Sequence, residues 1–300
     1  MCKFENESMK EFKGYLKEKG FAPSTITTIC RNIRQLGQWA QENGHDMTNI
    51  NYTLLKGYIL HCKHLDFKPM TINGKIKSIS HYNRFLHGES AIDTASRLRV
   101  KGAIRDIAFD LFTLSELDSI YNNYPEWKPK KTMPDNMIRN HVALGLHIYQ
   151  GIKHGELAAL ETYHVDLEKG RVYIPSIGRN NSRTLDLMPF QIMPIHNYIT
   201  TIRKNMLQKY PEDGEKLFPG YKTSAILETI GETITKHCPR LKKFTQLRAS
   251  VITGWLTRYN LREVQYMAGH RYVSSTERYS RENIESLKKE VEKYHPLNHN

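Results

Sequence analysis

The chain has 300 residues, 39% of them hydrophobic and 25% charged, which is enough apolar material for a real core and excludes a disordered chain. Lys and Arg number 44 against 31 Asp and Glu, a net charge of +13 that favours polyanionic partners, above all nucleic acid. No run approaches the ~20 apolar residues of a membrane helix, the opening MCKFENESMK lacks an apolar signal stretch, and Cys2, Cys30, Cys62 and Cys238 are far apart with no CxxC pair; a membrane span, a disulfide framework and a metal site are not expected, and a cytoplasmic location is.

In chain order, Phe12, Tyr15, Leu16 and Lys19 follow helical spacing up to a stop at Gly20. Ser24 is the expected N-cap of a second helix with the stripe Ile26, Ile29, Ile33, Leu36 and Ala40, ended by Asn43-Gly44. A third helix is predicted over Tyr52–Leu65, carrying Leu55, Ile59 and Cys62. A fourth starts at Thr71, with Ile72, Ile76, Ile79 and Phe85 inward. Four short amphipathic helices make one small bundle over residues 1–88. This segment holds 13 basic and 7 acidic residues, a net of +6, so the other +7 lies downstream and the surplus is not a tail. Residues 89–110, rich in small and charged side chains, read as a linker.

A second domain is expected over residues 111–300. Thr113 caps a helix with Glu116 at the capping-box position, and Asn140–Leu160 reads as one long helix. The period then changes. Arg171–Pro175 and Arg183–Met188 read as two short strands joined by the turn-forming SIGRNNS. Helices are predicted again over about Ile192–Gln208, Phe244–Thr257 and Leu261–Ala268. The fold class is therefore mainly α with a small β-hairpin or sheet. Beyond Tyr279, the residues Ile284, Leu287, Val291 and Tyr294 form a helical stripe within Asn283–Tyr294.

The last sixty residues carry the informative pattern. Phe244-Thr245-Gln246-Leu247-Arg248 opens a helix, Met267-Ala268-Gly269-His270 ends one, and Ser274-Ser275-Thr276-Glu277-Arg278-Tyr279 follows. This resembles the tyrosine recombinases (phage integrases, including the Xer type), with their H-x-L-R, L-G-H and a tyrosine about nine residues on. Asn260–Gln265 resembles the family's lead into the G-H turn. Gly151-Ile152-Lys153-His154-Gly155-Glu156-Leu157 is similar to the family's G-L-R-x-x-E-L, and Gly178-Arg179-Asn180-Asn181 sits where the family has a G-K-G-N hairpin. Each piece is weak singly, and Tyr279 alone is one of seventeen tyrosines. The joint order and spacing carry the resemblance.

The resemblance implies an N-terminal SAM-like core-binding domain and an α+β catalytic domain clamped around double-stranded DNA, with synapsed sites held by a homotetramer that is a monomer or dimer when free. The tail helix then docks either on its own domain or on a neighbouring subunit. The activity implied is DNA recombination or integration on behalf of a mobile genetic element or chromosome region. Tyr279 attacks a phosphodiester, leaving a 3′-phosphotyrosine and a free 5′ hydroxyl. Such chemistry needs a nucleophile, cations on the non-bridging oxygens and a protonated leaving group. Arg248 suits the phosphate through its two-pronged geometry, and His270 can hydrogen-bond an oxygen or move a proton. Lys153 and Arg179 complete the catalytic set, with Thr245, Glu156 and Arg183 in support. Arg31, Arg34, Lys75, Lys77 and Arg84 are candidate phosphate contacts of the first domain. The ester conserves bond energy, so no cofactor is expected, in keeping with the lack of a GxxxxGK[ST] loop and of clustered carboxylates for metal chemistry.

Three positions depart from the family pattern. Lys153 stands for the first arginine and loses the bidentate fork. Arg179 stands for the hairpin lysine and barely gives up a proton. Thr245 stands for the first histidine. Two other readings follow: a DNA-binding relative with weakened or no cleavage, and a relaxing topoisomerase of the same chemistry.

Overall fold

The computed structural model describes residues 3–89, 93–102, 110–127, 134–220 and 223–280. The expected tail helix lies outside the described residues. The chain divides into two compact units, Met1–Arg105 and Asp106–Asn300.

The first unit is a helical bundle of α1 (Lys3–Glu18), α2 (Pro23–Glu42), α3 (Tyr52–His64) and α4 (Pro69–His87), followed by the short α5 (Thr94–Arg97). The apolar stripes meet in one core. Phe12 and Leu16 of α1, Ile29 and Leu36 of α2, Leu55 of α3 and Ile72 and Ile79 of α4 are all buried. The α2 start differs from expectation. Pro23 occupies the first turn with no side-chain cap, because its ring presets a helical φ and its missing N–H needs no partner. Likewise α4 begins at Pro69, ahead of Thr71. Asn51 caps α3, its Oδ1 accepting from Leu54 N at 3.0 Å. Within the stretch expected to connect the domains, Val100 is tied to Asn73 of α4 by two hydrogen bonds of 2.8 and 2.9 Å.

The second unit holds α6 (Leu114–Trp127), α7 (Pro134–Tyr149), α8 (His154–Ala158), a three-stranded sheet, then α9 (Pro189–Asn197), α10 (Arg203–Lys209), α11 (Thr223–His237), α12 (Phe244–Leu256) and α13 (Leu261–Met267). A last helical stretch covers residues 274–280. The Thr113–Glu116 capping box forms: Thr113 N donates to Glu116 at 2.7 Å and Glu116 N to Thr113 Oγ1 at 3.2 Å. The sheet is antiparallel in the order β1 (Val165–Asp166), β2 (Arg171–Ile174), β3 (Arg183–Asp186), with Val172 opposite Leu185. Val172, Ile174 and Leu185 face the core and alternate with exposed neighbours.

The long helix expected over Asn140–Leu160 is broken in two. Gly151 adopts φ +55°, where a Cβ would also stand 3.0 Å from the Trp255 ring. The chain therefore turns between α7 and α8. α11 and β1 were not foreseen. α11 is dense in β-branched residues of poor helix propensity, yet Ile226, Ile230 and Ile234 fall four apart and are buried, so packing overrides propensity. β1 has only two residues, too few for an alternating pattern. α9 and α10 run on through a π-helical turn, Tyr198–Ile202. α7 is the hub of this unit, with Val142, Leu144, Leu146 and Ile148 buried against its neighbours.

Candidate active site

Three local structures bring the candidate residues together. The first is the end of α13. Asn260 caps its start, with Oδ1 accepting from Arg262 N and Glu263 N at 3.0 Å, while Glu263 returns a bond to Asn260 N. At the other end Gly269 takes φ +65°. Gly269 N donates to Tyr266 O at 2.9 Å and His270 N to Gln265 O at 3.0 Å. These paired bonds close a Schellman turn, which fixes the backbone of His270. Only glycine fits here, since a Cβ would lie 2.4 Å from Nη1 of Arg183.

The second is the turn from α7 to α8. Lys153 precedes α8, and its backbone N donates to Glu156 at 2.8 Å. Glu156 is 1% exposed and receives both Nη1 and Nη2 of Arg183 at 2.9 Å. Burial alone raises a carboxyl pKa, but the Arg183 hydrogen bonds outweigh it and hold Glu156 below its usual value. This two-pronged pair is internal. It joins α8 to β3 and braces the Gly269 turn, so Glu156 and Arg183 are structural supports. Removing one partner of such a pair typically costs about 3–5 kcal/mol.

The third is the β2–β3 loop. Asn181 N donates to Gly269 O at 3.0 Å, and Asn180 forms an isolated bridge with His270. Lys153 Nζ donates to Asn180 Oδ1 at 2.5 Å. Arg179 is exposed in this loop, with no partner among the described residues.

On this frame Arg248, from α12, is buried at 6% exposure. Its Nη2 donates to Ala268 O at 2.6 Å, while Nη1 has no hydrogen-bond partner among the described residues. A buried guanidinium N–H without an acceptor suits an anionic ligand. Burial lowers its pKa to about 10, so it remains a cation at neutral pH. His270 is 7% exposed, and its ring stacks on that of Tyr279 with centroids 5.8 Å apart and planes 16° apart. Its pKa falls to about 3, first through burial and then through Arg248, Lys153, Arg278 and Arg183 around it. Lys153 falls to about 8 for the same first reason, with Arg248 adding to the fall and Glu156 opposing it. Beside these groups opens a cleft of about 450 Å³, lined among others by His147, Lys153, Lys243, Phe244, Thr245 and Arg248. Thr245 is exposed on its rim. His270 and Tyr279 do not line this cleft.

The structure thus brings Lys153, Arg248, His270 and Tyr279 into one cationic neighbourhood. Sequence reasoning missed Thr276, which is fully buried with Oγ1 2.9 Å from His270 Nδ1. It also missed His147, whose Nδ1 lies 2.6 Å from the Ile152 carbonyl and Nε2 3.3 Å from that of Phe244, so that the neutral ring donates to one of them, the nearer being Ile152. A search for polar residues six before or after each candidate would have flagged Thr276. In the first unit Arg31, Arg34 and Lys77 are exposed and Arg84 lies 3.6 Å from Asp93. Lys75 corrects the expectation of a surface phosphate contact: it is 4% exposed, its ammonium bonded to Gln35 and Tyr58 and lying over the Phe67 ring, because α4 turns it toward α2 and α3.

Residues 112–286, more than half of the chain, match the phage integrase family, and residues 9–90 match the phage integrase N-terminal SAM-like domain. The chain belongs to the phage integrase family. This family of tyrosine recombinases is a class of DNA strand-exchanging enzymes. Among curated relatives, the tyrosine recombinase XerC of Lactobacillus delbrueckii subsp. bulgaricus is 22% identical over 298 residues, covering 96% of this chain and 98% of the relative. The TnP I resolvase of Bacillus thuringiensis is 24% identical over 295 residues, covering 94% and 98%. Among solved structures, XerH site-specific recombinase bound to palindromic difH substrate superposes with a TM-score of 0.69 at 18% identity, over 89% of this chain and 78% of that one. The Tn1549 transposon integrase in complex with transposon right end DNA gives 0.67 at 15% identity, over 96% and 99%. At these identities the likeness is one of fold: helical, with a small antiparallel sheet and an N-terminal SAM-like domain.

Proposed function

We propose that this family member is a site-specific DNA recombinase that acts in the cytoplasm and cuts and rejoins duplex DNA through Tyr279. The phenolic oxygen attacks a backbone phosphorus and the bond to the 5′ oxygen breaks. The phenol gives up its proton to solvent as it attacks, and the products are a 3′-phosphotyrosine ester and a 5′ hydroxyl, which takes up a proton as it leaves. The 5′ hydroxyl of a second strand then reverses the step. Arg248 and Lys153 neutralise the non-bridging oxygens, with Arg179 as a further cation from the β2–β3 loop. Lys153, lowered to about 8, is the cation with a transferable proton near neutral pH, which an arginine is not. Domains of residues 1–88 and 111–300, joined by 89–110, grip the duplex, with Arg31, Arg34, Lys77 and Arg84 on phosphates. A homotetramer synapses two sites.

The observation that carries this reading is the shared neighbourhood of Tyr279, His270 and Arg248: the tyrosine ring stacks at 5.8 Å on a histidine that itself lies in the field of Arg248. The test is a nicked duplex carrying inverted repeats from the DNA that flanks the reading frame. Wild-type protein is expected to form a covalent adduct stable to denaturant, and Tyr279→Phe none. Equal adduct in both proteins removes Tyr279 from the mechanism.

A second reading, a DNA-binding protein with weakened cleavage, is favoured by one observation. The Lys153 ammonium is engaged by Asn180 and presents no fork. The double variant Lys153→Arg, Thr245→His distinguishes the two. Adduct that forms much faster, or only, in the double variant supports the weakened enzyme, and adduct that forms as fast in wild type as in the double variant excludes it.

A further inference from the structure

Thr276 is fully buried, and its only hydrogen-bond partner through the side chain, among the described residues, is Nδ1 of His270 at 2.9 Å. Its backbone N–H is already committed to Val273 O at 2.7 Å. The hydroxyl carries one proton and needs an acceptor, because a buried donor left unpaired is costly. The Nδ1 lone pair is the acceptor within reach. If Nδ1 instead donated to Oγ1, the hydroxyl proton would be buried with no acceptor among the described residues. The rest of the ring agrees with this direction. Nε2 has no protein partner among the described residues. The cations Arg183, Arg248, Lys153 and Arg278 surround the imidazole, and its own burial disfavours a charge, so the ring is neutral and carries one proton.

We propose that Thr276 is a positioning residue whose hydroxyl donates to Nδ1 of His270, holding the imidazole as the Nε2–H tautomer and aiming that N–H at the scissile phosphate. The role toward phosphate rests on the reading given under Proposed function. The tautomer does not. One consequence is that His270 acts as a hydrogen-bond donor to a non-bridging oxygen. It is not the base that takes the phenolic proton, since Nε2 already holds one and Nδ1 is occupied. The device is economical in sequence: His270 ends the Schellman turn and Thr276 sits six residues on, in the first turn of the helical stretch 274–280 that carries Tyr279. One hydrogen bond therefore ties the orientation of the histidine to the helix of the nucleophile.

The test uses the full-length protein labelled with ¹⁵N-histidine, with His270 assigned by its loss in His270→Asn. Two-bond proton–nitrogen spectra at pH 7 are expected to show a pyridine-type Nδ1 and a pyrrole-type Nε2. Thr276→Ser keeps this pattern, and Thr276→Val shifts Nδ1 and mixes the tautomers. On the nicked duplex, Thr276→Val is expected to slow adduct formation about tenfold, part of the ~100-fold that loss of an oxyanion donor itself costs. DNA affinity should stay unchanged, and Thr276→Ser should restore the rate. A pyrrole-type Nδ1 in the wild type overturns the proposal, as does a Thr276→Val variant with unaltered His270 signals. If Thr276→Val fails to fold, the wild-type and Thr276→Ser spectra still decide the tautomer. Absence of adduct in the wild type, with the spectra as expected, contradicts the recombinase reading and leaves the tautomer assignment standing. Adduct together with a protonated Nδ1 contradicts only the inference.

Discussion

Lys153 holds a cation where the family has an arginine, and the two behave differently as pH rises. Burial, reinforced by Arg248, lowers the lysine to about 8. The ammonium is therefore charged below that value and lost above it. At pH 9, one unit above, about one lysine in ten keeps its proton, so the second-order rate of adduct formation at subsaturating DNA, which reports the free protein, should fall about tenfold between pH 7 and pH 9. Lys153→Arg should give a flat profile over the same range, because guanidinium stays charged. Identical falls in both proteins would assign the titration to another group. The motif around Lys153 was legible as a string of letters. Which of its residues face the site was not. Glu156 and Lys153 stand three apart, yet one is sealed in an ion pair with Arg183 and the other lines the cleft. That difference depends on where β3 delivers Arg183, and a contact 27 residues away in sequence has no local signature.

At the scale of elements, α7 and the α13 turn each bury a neutral histidine. His147 on α7 is lowered to about 4 and His270 after α13 to about 3, in both cases first by burial and then by Arg248. An unfolded chain takes up these protons near pH 6.5 and the folded chain does not. The stabilisation is thus complete above about pH 6.5 and is lost as pH falls toward 4. The linkage amounts to about 2 kcal/mol per histidine at pH 5. The urea midpoint should accordingly drop between pH 7 and pH 5, and His147→Gln should show a shallower drop. An equal pH dependence in both proteins would contradict this account of α7. Helices with a clean stripe, such as α2 and α3, were readable because their apolar residues repeat at the helical period. The break at Gly151 was not, since apolar spacing continues across it and nothing local distinguishes a glycine at φ +55° from one inside a helix. α11 escaped notice for the opposite reason: its composition argues against a helix and only the burial of Ile226, Ile230 and Ile234 explains it.

For the molecule as a whole, the surplus of +13 is spread over both units, +6 of it within residues 1–88. Duplex binding should weaken steeply with salt, because each phosphate contact releases counterions. Replacing Arg34 and Lys77, both exposed on the first unit, by alanine should reduce the slope of log affinity against log salt by about 0.9 per contact, with little change in sequence preference. A slope unaltered in the double variant would exclude these two side chains as phosphate contacts. Lys75 is the instructive counterexample. It shares a helix with Lys77 and reads alike in sequence, yet one turns into the bundle and the other out, and charge alone does not separate them.

The most direct measurement is peptide mass spectrometry on protein trapped with the nicked duplex and then digested by nuclease. The account predicts a single nucleotide-bearing peptide, modified at Tyr279 through a 3′ phosphate. A nucleotide on another tyrosine, or a trapped strand attached through its 5′ phosphate, would contradict it.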